Sequence, residues 1–599
     1  MAAAEQKVCQ NCKQSFEIDA SDFSFYDRIQ VPPPTWCPNC RLMRKMAWRN
    51  ERTLYKRTCD LCNKSIISIY PAGSDFPVYC EGCWWSDKWN PELFARSYDF
   101  ARPFFSQFSE FLLKRVPAMA LFNTTATNAD YCNYMAGAKN CYLLMGGRES
   151  EDILYSNRIY MSKDGMDLYT NTKTERCYES IQCENSYGLM FCQYCDSCSN
   201  SAFVYDCKNC QNCFASTNLR NKQYYFLNQP CTKEEYQAKL SKVNLGSRAQ
   251  VEEWRRKFDD LKKKSLHKYA EILKSVDCTG DNLKNSKNCR SCFDFSGDNY
   301  ENSNYSHYVG LGLKDSSDVY GLSRGDLLYE SLSLGFESTE NSRYVCSQFI
   351  KGSSDIFYSY NCTSSQNLFG CIGLRSKQYC ILNKQYSKEE YEQLIPRIID
   401  QMNTMPYIDQ KGRKYGYGEF FPPELSPFAY NETIAQEYFP LTKEEAMDRG
   451  YRWKDPNIRE YQVTIRSEDL PDNIKDVADS IVNEVVGCAH ACPPAGGCLH
   501  QCVGAFKIAP QEFQFYRLMN LPLPRLCPNC RHYERLGKRN PMKLWHRGCM
   551  CGSTSSPQAK NTAVHFHGKG KCPNEFETSY APDRPEIVYC EQCYNAEVV

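Results

Sequence analysis

The chain has 599 residues and a net charge of +1, which allows several hydrophobic cores and excludes a uniformly basic protein that coats nucleic acid. Its 37 cysteines are an odd number, a poor fit to a complete disulfide framework. The sequence shows no secretory signal and no apolar run of bilayer length, so we expect a cytoplasmic protein without membrane contact, in which paired cysteines bind metal.

Residues 1–115 contain four successive Cys-x-x-Cys pairs. Each pair places two thiolates at one turn, and two facing pairs supply the four-sulfur tetrahedron that structural zinc prefers. We therefore predict tandem zinc ribbons in this region. The expected ligands are Cys9, Cys12, Cys37 and Cys40 for one ion, and Cys59, Cys62, Cys80 and Cys83 for a second.

A basic segment follows the Cys37-Pro-Asn-Cys40 string and includes Trp48. Arginine planes beside aromatic rings suit single-stranded or RNA recognition through phosphate contacts and base stacking. A solvated helix face between two ribbons is the alternative, because charge runs usually have that role. The candidate nucleic-acid contacts here are Arg41, Arg44, Lys45, Arg49 and Arg52.

The middle of the chain consists of short Tyr-centred strands separated by Asn, Ser, Asp and Gly clusters, with strand centres commonly nine residues apart. This pattern predicts a mainly β fold with a β-solenoid-like core, and a β-sandwich is the alternative. Leu219-Arg-Asn-Lys-Gln-Tyr224 recurs as Leu374-Arg-Ser-Lys-Gln-Tyr379, which indicates a duplication. We predict solenoid-like repeats at residues 130–230 and 278–385.

Residues 192–213 hold two runs of three cysteines each. Their spacing allows a further metal site or an iron–sulfur cluster, but a ferredoxin-type fourth ligand and trailing Pro are missing. Stacked small residues inside the solenoid are the alternative. The sequence leaves this choice open.

Two further segments separate the repeats from the C-terminal region. Residues 231–277 read as a charged helical hairpin, and residues 386–485 as a mixed α/β connection with a helix near 471–486. Three capping boxes predict helix starts after Thr232, Ser387 and Thr442.

Residues 486–599 repeat the tandem ribbons. The third site is predicted at Cys502, Cys527 and Cys530 with Cys498, for which Cys488, Cys492, His490 and His500 are competitors. The fourth site needs either Cys549 or Cys551, together with Cys572, Cys590 and Cys593; we expect His565 and His567 to lie in a solvated loop. A second basic segment supplies the candidate nucleic-acid contacts Arg531, Arg535, Lys538, Arg539 and Lys543.

Three strings carry a resemblance to a known family: residues 515–531, which end in Cys527-Pro-Asn-Cys530-Arg531, residues 426–438 and residues 578–590. They resemble a zinc-ribbon family of large, uncharacterised proteins from candidate-phylum bacteria, across nearly the whole chain. The resemblance implies zinc binding. The chain departs from the pattern at Cys549-x-Cys551 and in the insertion before Cys572.

Together these features predict a non-enzymatic binding protein with about four structural zinc ions. Its basic segments would contact RNA or a ribonucleoprotein such as the ribosome. The alternative is a scaffold for protein interaction or self-association without nucleic acid, with rows of exposed tyrosines as its contact surface. We find no catalytic motif and no sign of a small-molecule substrate, since phosphate loops, dinucleotide fingerprints and nucleophile elbows are missing from the sequence.

Overall fold

The computed structural model describes residues 4–310, 312–321, 326–332, 344–345, 350–455, 461–490, 500–552 and 561–599. The protein is 24% helix and 28% strand, with the strands divided among many small sheets. Cysteine clusters lie at both ends of the chain. The prediction of a strand-rich chain with metal-binding clusters at both ends is therefore confirmed at this level.

The N-terminal region contains two antiparallel hairpins. Downstream of each hairpin, a short helix begins directly after a cysteine, at Cys37 and at Cys80. The helix Pro38–Met46 begins directly after Cys37, since Pro38 at its first position needs no hydrogen-bond acceptor and has a fixed φ. The strands are Glu5–Val8, Ser15–Ile18, Tyr55–Thr58, Ser65–Ser68, Val78–Tyr79 and Ala118–Met119; the α-helices are Ala20–Ile29, Pro38–Met46, Glu81–Trp84 and Phe104–Phe108, with a 3-10 turn at Pro91–Phe94 and a π-helical turn at Ser109–Leu113.

The middle of the chain forms two parallel ladders, the first in residues 124–230 and the second in the described parts of residues 272–385. In the first ladder a residue pairs in parallel with the residue 12 positions later, and in the second the separation is commonly 12 but ranges from 11 to 16. Ser199 pairs with Gln211 and Gln211 with Gln223 in the first half, and Ser354 pairs with Gln366 in the second. The strands are Asn133–Lys139, Met145–Leu154, Asn157–Tyr160, Lys163–Met166, Tyr187–Met190, Ser199–Tyr205, Gln211–Thr217, Gln223–Phe226 and Gln229–Pro230, then Ser286–Lys287, Tyr300–Asn304, Leu313–Ser317, Leu328–Tyr329, Tyr344–Val345, Ser354–Phe357, Gln366–Phe369, Gln378–Ile381 and Lys384–Gln385.

Bends interrupt these ladders at every third residue. Thr170, Lys173, Arg176 and Glu179 all have positive φ, between 43° and 52°. The left-handed conformation is uncommon for residues other than Gly, Asn and Asp, so its regular recurrence defines the geometry. A 12-residue repeat thus has four three-residue sides, and the predicted nine-residue strand spacing corresponds to three of them.

The cysteines of residues 192–213 point into the interior of the first ladder. Cys195 and Cys207 are 12 residues apart and both are buried. Their thiols donate to backbone carbonyls, as in the 3.4 Å contact from Cys195 Sγ to Gln193 O and the 3.5 Å contact from Cys207 Sγ to Tyr205 O. The three-residue spacing of these cysteines follows from the three-residue sides, so it is not by itself a metal-binding signal.

The predicted rows of exposed tyrosines are wrong for most of the described strand centres. Tyr169, Tyr178, Tyr205 and Tyr320 are all buried, and Tyr187 is an exception at 39% exposed. Large aromatic rings on the ladders pack instead beneath the helices and end modules that cover them. These rings therefore contribute to the core.

The helices between and after the ladders begin where the sequence predicts. The capping boxes at Thr232, Ser387 and Thr442 are all formed and are confirmed. The helix expected near residues 471–486 is wrong, because this segment forms two short 3-10 turns and a strand. The α-helices are Lys233–Leu240, Arg248–Lys264, Lys388–Thr404, Ala435–Tyr438 and Lys443–Asp448; the 3-10 turns are Pro423–Leu425, Tyr430–Glu432, Ser467–Asp469, Ile474–Asp476 and Asp479–Asn483.

The C-terminal region repeats the hairpin-then-helix arrangement of the N-terminal region. One of its strands, Ile587–Tyr589, pairs in parallel with Leu266–Lys268, which follows the helical hairpin. The other strands of the C-terminal region are Val486–Gly487, Ala505–Phe506, Trp545–Gly548 and Glu575–Thr578, and its helices are Pro510–Met519, Pro528–Gly537 and Glu591–Val598. Short strands earlier in the chain are Ile272–Leu273, Gly280–Asp281, Leu283–Lys284, Cys292–Phe293, Tyr407–Ile408 and Lys414–Tyr415.

We expect Gly147→Ala to destabilise the first ladder by about 2 kcal/mol or more, because Gly147 has a φ of 136° and an added Cβ would overlap the Ile159 carbonyl. Gly82→Ala is the matched control, since Gly82 has open space around its Cβ position within the helix Glu81–Trp84. Urea unfolding of the two variants checks the difference. Equal stabilities would show that the neighbouring strands Met145–Leu154 and Asn157–Tyr160 do not approach each other this closely at Gly147 and Ile159.

Candidate metal centres and the basic segments beside them

The first metal centre joins a hairpin turn to a helix start. Cys9 follows the strand Glu5–Val8, Cys12 closes the same turn, and Lys13 takes a φ of 62° so that the chain can reverse. Cys37 and Cys40 lie in the first turn of the facing helix. The Cys37 N–H donates to Cys9 Sγ at 3.2 Å, and Cys12 Sγ lies 3.8 Å from Cys37 Sγ.

These sulfur separations match a metal tetrahedron. Zinc–sulfur bonds of about 2.3 Å place tetrahedral sulfurs roughly 3.8 Å apart, whereas a disulfide would bring them to about 2.05 Å. Among the described residues, the groups whose ligand atoms lie within 4.8 Å of one another include four sets of four cysteines. The prediction that these cysteines gather in metal-binding geometry is confirmed, and the first two groups contain the eight predicted ligands.

The second centre repeats the geometry of the first. Cys59 follows a hairpin strand, and the Cys80 N–H donates to Cys59 Sγ at 3.3 Å. Burial acts to raise the pKa of the Cys59 thiol, but N–H groups from Cys80 and Cys62 outweigh it and hold the pKa at about 7. In the first centre, hydrogen bonds from the Cys37 and Cys40 thiols lower the pKa of Cys9. Each centre therefore contains one thiol that readily becomes a thiolate.

The third centre is completed by Cys488, one of the competitors for its first ligand. Cys488 joins Cys502, Cys527 and Cys530, while the predicted Cys498 lies outside the described residues. The strand Val486–Gly487 pairs with Ala505–Phe506, so Cys488 and Cys502 stand at the two ends of one hairpin turn. An insertion separates the two cysteines along the chain, which hides the pair from a spacing search. The Cys527 N–H donates to Cys488 Sγ at 3.2 Å, as in the other centres.

We expect Cys488→Ser to remove one metal ion per chain, because it deletes one of four converging sulfurs. Cys498→Ser should leave the metal content unchanged, since Cys488 already completes the set. Inductively coupled plasma mass spectrometry on both purified variants checks this. The reverse result would restore Cys498 as the ligand.

The fourth centre selects Cys549 over Cys551. Cys549 follows the strand Trp545–Gly548, and its N–H donates to Asn574 O at 2.8 Å across the hairpin. Cys572, Cys590 and Cys593 complete the group, with Cys572 Sγ 3.9 Å from Cys590 Sγ. The Cys590 N–H donates to Cys549 Sγ at 3.2 Å. Cys549 is thus the counterpart of Cys59.

Cys551 belongs to a neighbouring group with His565, His567 and Cys593. The expectation of a solvated histidine loop is wrong, because the His565 side chain is only 1% exposed and His567 is half-buried. This group could be predicted from sequence only if the insertion were assumed to be folded against the cysteines. The sequence feature that indicates it is the pair of histidines, His565 and His567, separated by one residue.

The first basic segment is buried rather than presented to solvent. Arg41 bonds Asp318 at 2.9 and 3.0 Å, and Lys45 reaches the same carboxylate at 3.2 Å. Arg44 bonds Glu330 at 2.7 Å and Glu419 at 2.9 Å. Burial acts to raise the pKa of Asp318, yet Arg41 and Lys45 hold it at about 2.

The second basic segment has the same arrangement on the other ladder. Arg531 and Arg535 both bond Asp167, at 2.8 and 2.5 Å, and Arg531 also bonds Glu512 at 3.1 Å. Arg539 bonds Asp294 at 2.7 Å. Both terminal modules therefore pair with both ladders, because Glu51 of the N-terminal module also bonds Arg158 of the first ladder at 3.2 Å.

The predicted nucleic-acid contacts are accordingly corrected at most positions. The side chains of Arg41, Arg44, Lys45, Arg49, Arg531, Arg535 and Arg539 are between 0% and 6% exposed, so they cannot reach a phosphate without unfolding. Arg52 is half-buried and donates to Asn157 at 2.8 Å, and Lys538 lies 3.9 Å from Glu179. Lys543 is exposed, with its Nζ 5.0 Å from the Trp545 ring centre.

Comparisons with known proteins leave the family unassigned. No protein-family model matches the chain, and no curated protein matches it. One matching solved structure is a putative acetyltransferase from Desulfovibrio desulfuricans G20, which is 11% identical over 49% of this chain and 85% of that chain. Its TM-score of 0.09 is too low to carry an argument about fold or activity. No helix among the described residues is long and apolar enough to span a membrane.

Proposed function

We propose that this protein is a non-enzymatic scaffold, stabilised by zinc, that binds partner proteins. Sets of four thiolates suit zinc among the common divalent ions. Four thiolates also fill a tetrahedral coordination sphere, which leaves no open position for the water or substrate that a catalytic metal needs. The metal centres then stabilise the fold and take no part in catalysis.

The observation that carries this proposal is the burial of the two basic segments. A nucleic-acid interface would present these cations to solvent, whereas their ion pairs with Asp318, Glu330 and Asp167 fix the metal modules on the ladders. Buried charges stay ionised only when closely paired, so each pair also defines where a module docks. We infer that these segments act in assembly of the chain.

The ladders would act as the platform of this scaffold. We propose that they form a β-solenoid, supported by the 12-residue pairing and by the bends at every third residue. Its exposed rows are polar, as in the row of Lys139, Glu151 and Lys163, where Lys139 lies 2.5 Å and Lys163 3.7 Å from Glu151. A row of alternating charge suits recognition of a protein surface.

RNA contact is the second candidate, favoured by one surface feature. Lys543 and Trp545 form an exposed cation beside a half-buried ring next to the fourth metal centre. Such a pair can contact a phosphate and stack a base. RNA binding is therefore the alternative function that the following experiment distinguishes from the scaffold.

The test is the mass of the native complex, measured by light scattering before and after nuclease treatment. A protein assembly should survive nuclease, and the double variant Lys139→Glu with Lys163→Glu should weaken it roughly fivefold, because about 1 kcal/mol of charge complementarity is lost. Lys263→Glu, at an exposed site on the helix Arg248–Lys264, is the matched control. A complex that dissolves with nuclease and weakens in Lys543→Ala would replace the scaffold proposal with RNA binding.

A further inference from the structure

The described parts of the insertion between Cys549 and Cys572 fold back onto the fourth metal centre. Its first described part ends at Gly552, and its second begins at residue 561. Gly552 has a φ of 70°, and a Cβ there would lie 2.5 Å from Gly570 O. The Cys572 N–H donates to Cys551 O at 3.1 Å. The two ends of the insertion are therefore held together beside the cysteines.

Three sulfur–nitrogen contacts converge between this insertion and the helix Glu591–Val598. Cys551 Sγ lies 3.4 Å from His565 Nδ1 and 3.2 Å from His567 Nε2, and Cys593 Sγ lies 3.4 Å from the same His567 nitrogen. A tetrahedral zinc ion would place sulfur and nitrogen ligands roughly 3.5 Å apart. The observed separations are close to that value.

Hydrogen bonding alone does not satisfy this cluster. The Cys551 sulfur faces two imidazole nitrogens and also accepts from Asn561 Nδ2 at 3.2 Å, although a thiol has one proton to donate. The His567 Nε2 likewise faces two sulfurs. A metal ion at the centre would use all four atoms as ligands at once.

The orientation of His565 supplies an independent sign of metal ligation. Its Nε2 lies 2.7 Å from Glu597 Oε1, and both side chains are buried. Glu597 is itself fixed by the N–H groups of Thr562 and Ala563. Metal-binding histidines typically donate their second N–H to a carboxylate, which turns the other nitrogen towards the metal. Here that other nitrogen, Nδ1, faces Cys551.

Cys593 belongs to both groups. We propose that the fourth ribbon holds two zinc ions bridged by the Cys593 thiolate, one completed by Cys549, Cys572 and Cys590, the other by Cys551, His565 and His567. Five thiolates against two divalent ions leave a single net negative charge, less than the two left by a lone ion with four thiolates. This inference adds a fifth zinc site beyond those that the scaffold proposal requires.

Metal counting tests the extra site. Cys551→Ser and His567→Ala should each contain one zinc fewer per chain than the unaltered protein, while His567→Cys should restore it, because a thiolate can replace the imidazole. His546→Ala, which removes an exposed histidine outside the cluster, is the control and should lose none. Unchanged zinc content in both Cys551→Ser and His567→Ala would overturn the proposal. The scaffold proposal would survive that result, since it needs only the four-cysteine centres.

Cadmium-113 NMR of the full chain tests the bridge itself. Two cadmium signals should couple to each other through the shared sulfur, and the coupling should vanish in Cys551→Ser while a four-sulfur signal remains. Signals from both sites without mutual coupling would overturn the bridged arrangement.

Discussion

Asp318→Asn is expected to lower the free energy of unfolding of the N-terminal module by about 3–5 kcal/mol. Asp318 is 1% exposed and is the shared partner of Arg41 and Lys45. Neutralising it leaves both cations to Glu330, which lies 3.9 Å from Arg41 and 3.8 Å from Lys45 and already bonds Arg44 at 2.7 Å. The loss is large because three buried cations would then share one carboxylate here, and a buried charge without a close partner cannot recover its hydration.

Urea unfolding followed by tryptophan fluorescence measures this loss, since Trp36 and Trp48 are fully buried in the same region. Asp260→Asn is the matched control: its partner Lys263 is exposed, so the change should cost less than about 1 kcal/mol. Similar stabilities for the two variants would show that the basic segment is not held by this carboxylate.

Cys12→Ser should release one metal ion and open the basic helix Pro38–Met46, although Cys12 itself is exposed. Structural zinc contributes about 10–16 kcal/mol of apparent binding free energy in zinc-finger peptides, so the loss of one ligand is expected to unfold the ribbon locally. The effect reaches the helix through Cys37 and Cys40, which share the ion with Cys12.

Hydrogen–deuterium exchange of the helix backbone, with the metal content measured on the same sample, checks this expectation. Cys231→Ser is the control because Cys231 is a half-buried cysteine outside the four-cysteine centres. Slow exchange in Cys12→Ser despite loss of the ion would mean that the buried ion pairs hold the helix without metal.

The sequence revealed the metal ligands wherever pairs were close along the chain. Cys9, Cys12, Cys59 and Cys62 sit in two-residue turns that any spacing search detects. Cys488 was missed as first choice because its hairpin partner Cys502 is separated from it by an insertion, and only strand pairing reveals which residues meet.

The burial of the basic segments could not be predicted from local sequence. Arg41 and Asp318 are 277 positions apart, so a charge run gives no sign of the carboxylate that will cover it. The same limit applies to the ladders, where the 12-residue pairing is built from three-residue sides that carry few glycines. Features that depend on residues close together in sequence were predicted correctly, such as the helix starts at the capping boxes of Thr232 and Ser387.

Native mass spectrometry of the intact chain, purified without added metal, tests the central claim most directly. We predict five zinc ions per chain, one in each of the four four-cysteine centres and one at Cys551, His565, His567 and Cys593. A count of four ions would rule out the bridged site and leave the four-cysteine centres unaffected. Fewer than four, with thiols free or joined in disulfides, would contradict the claim that metal centres stabilise the modules at both ends of this protein.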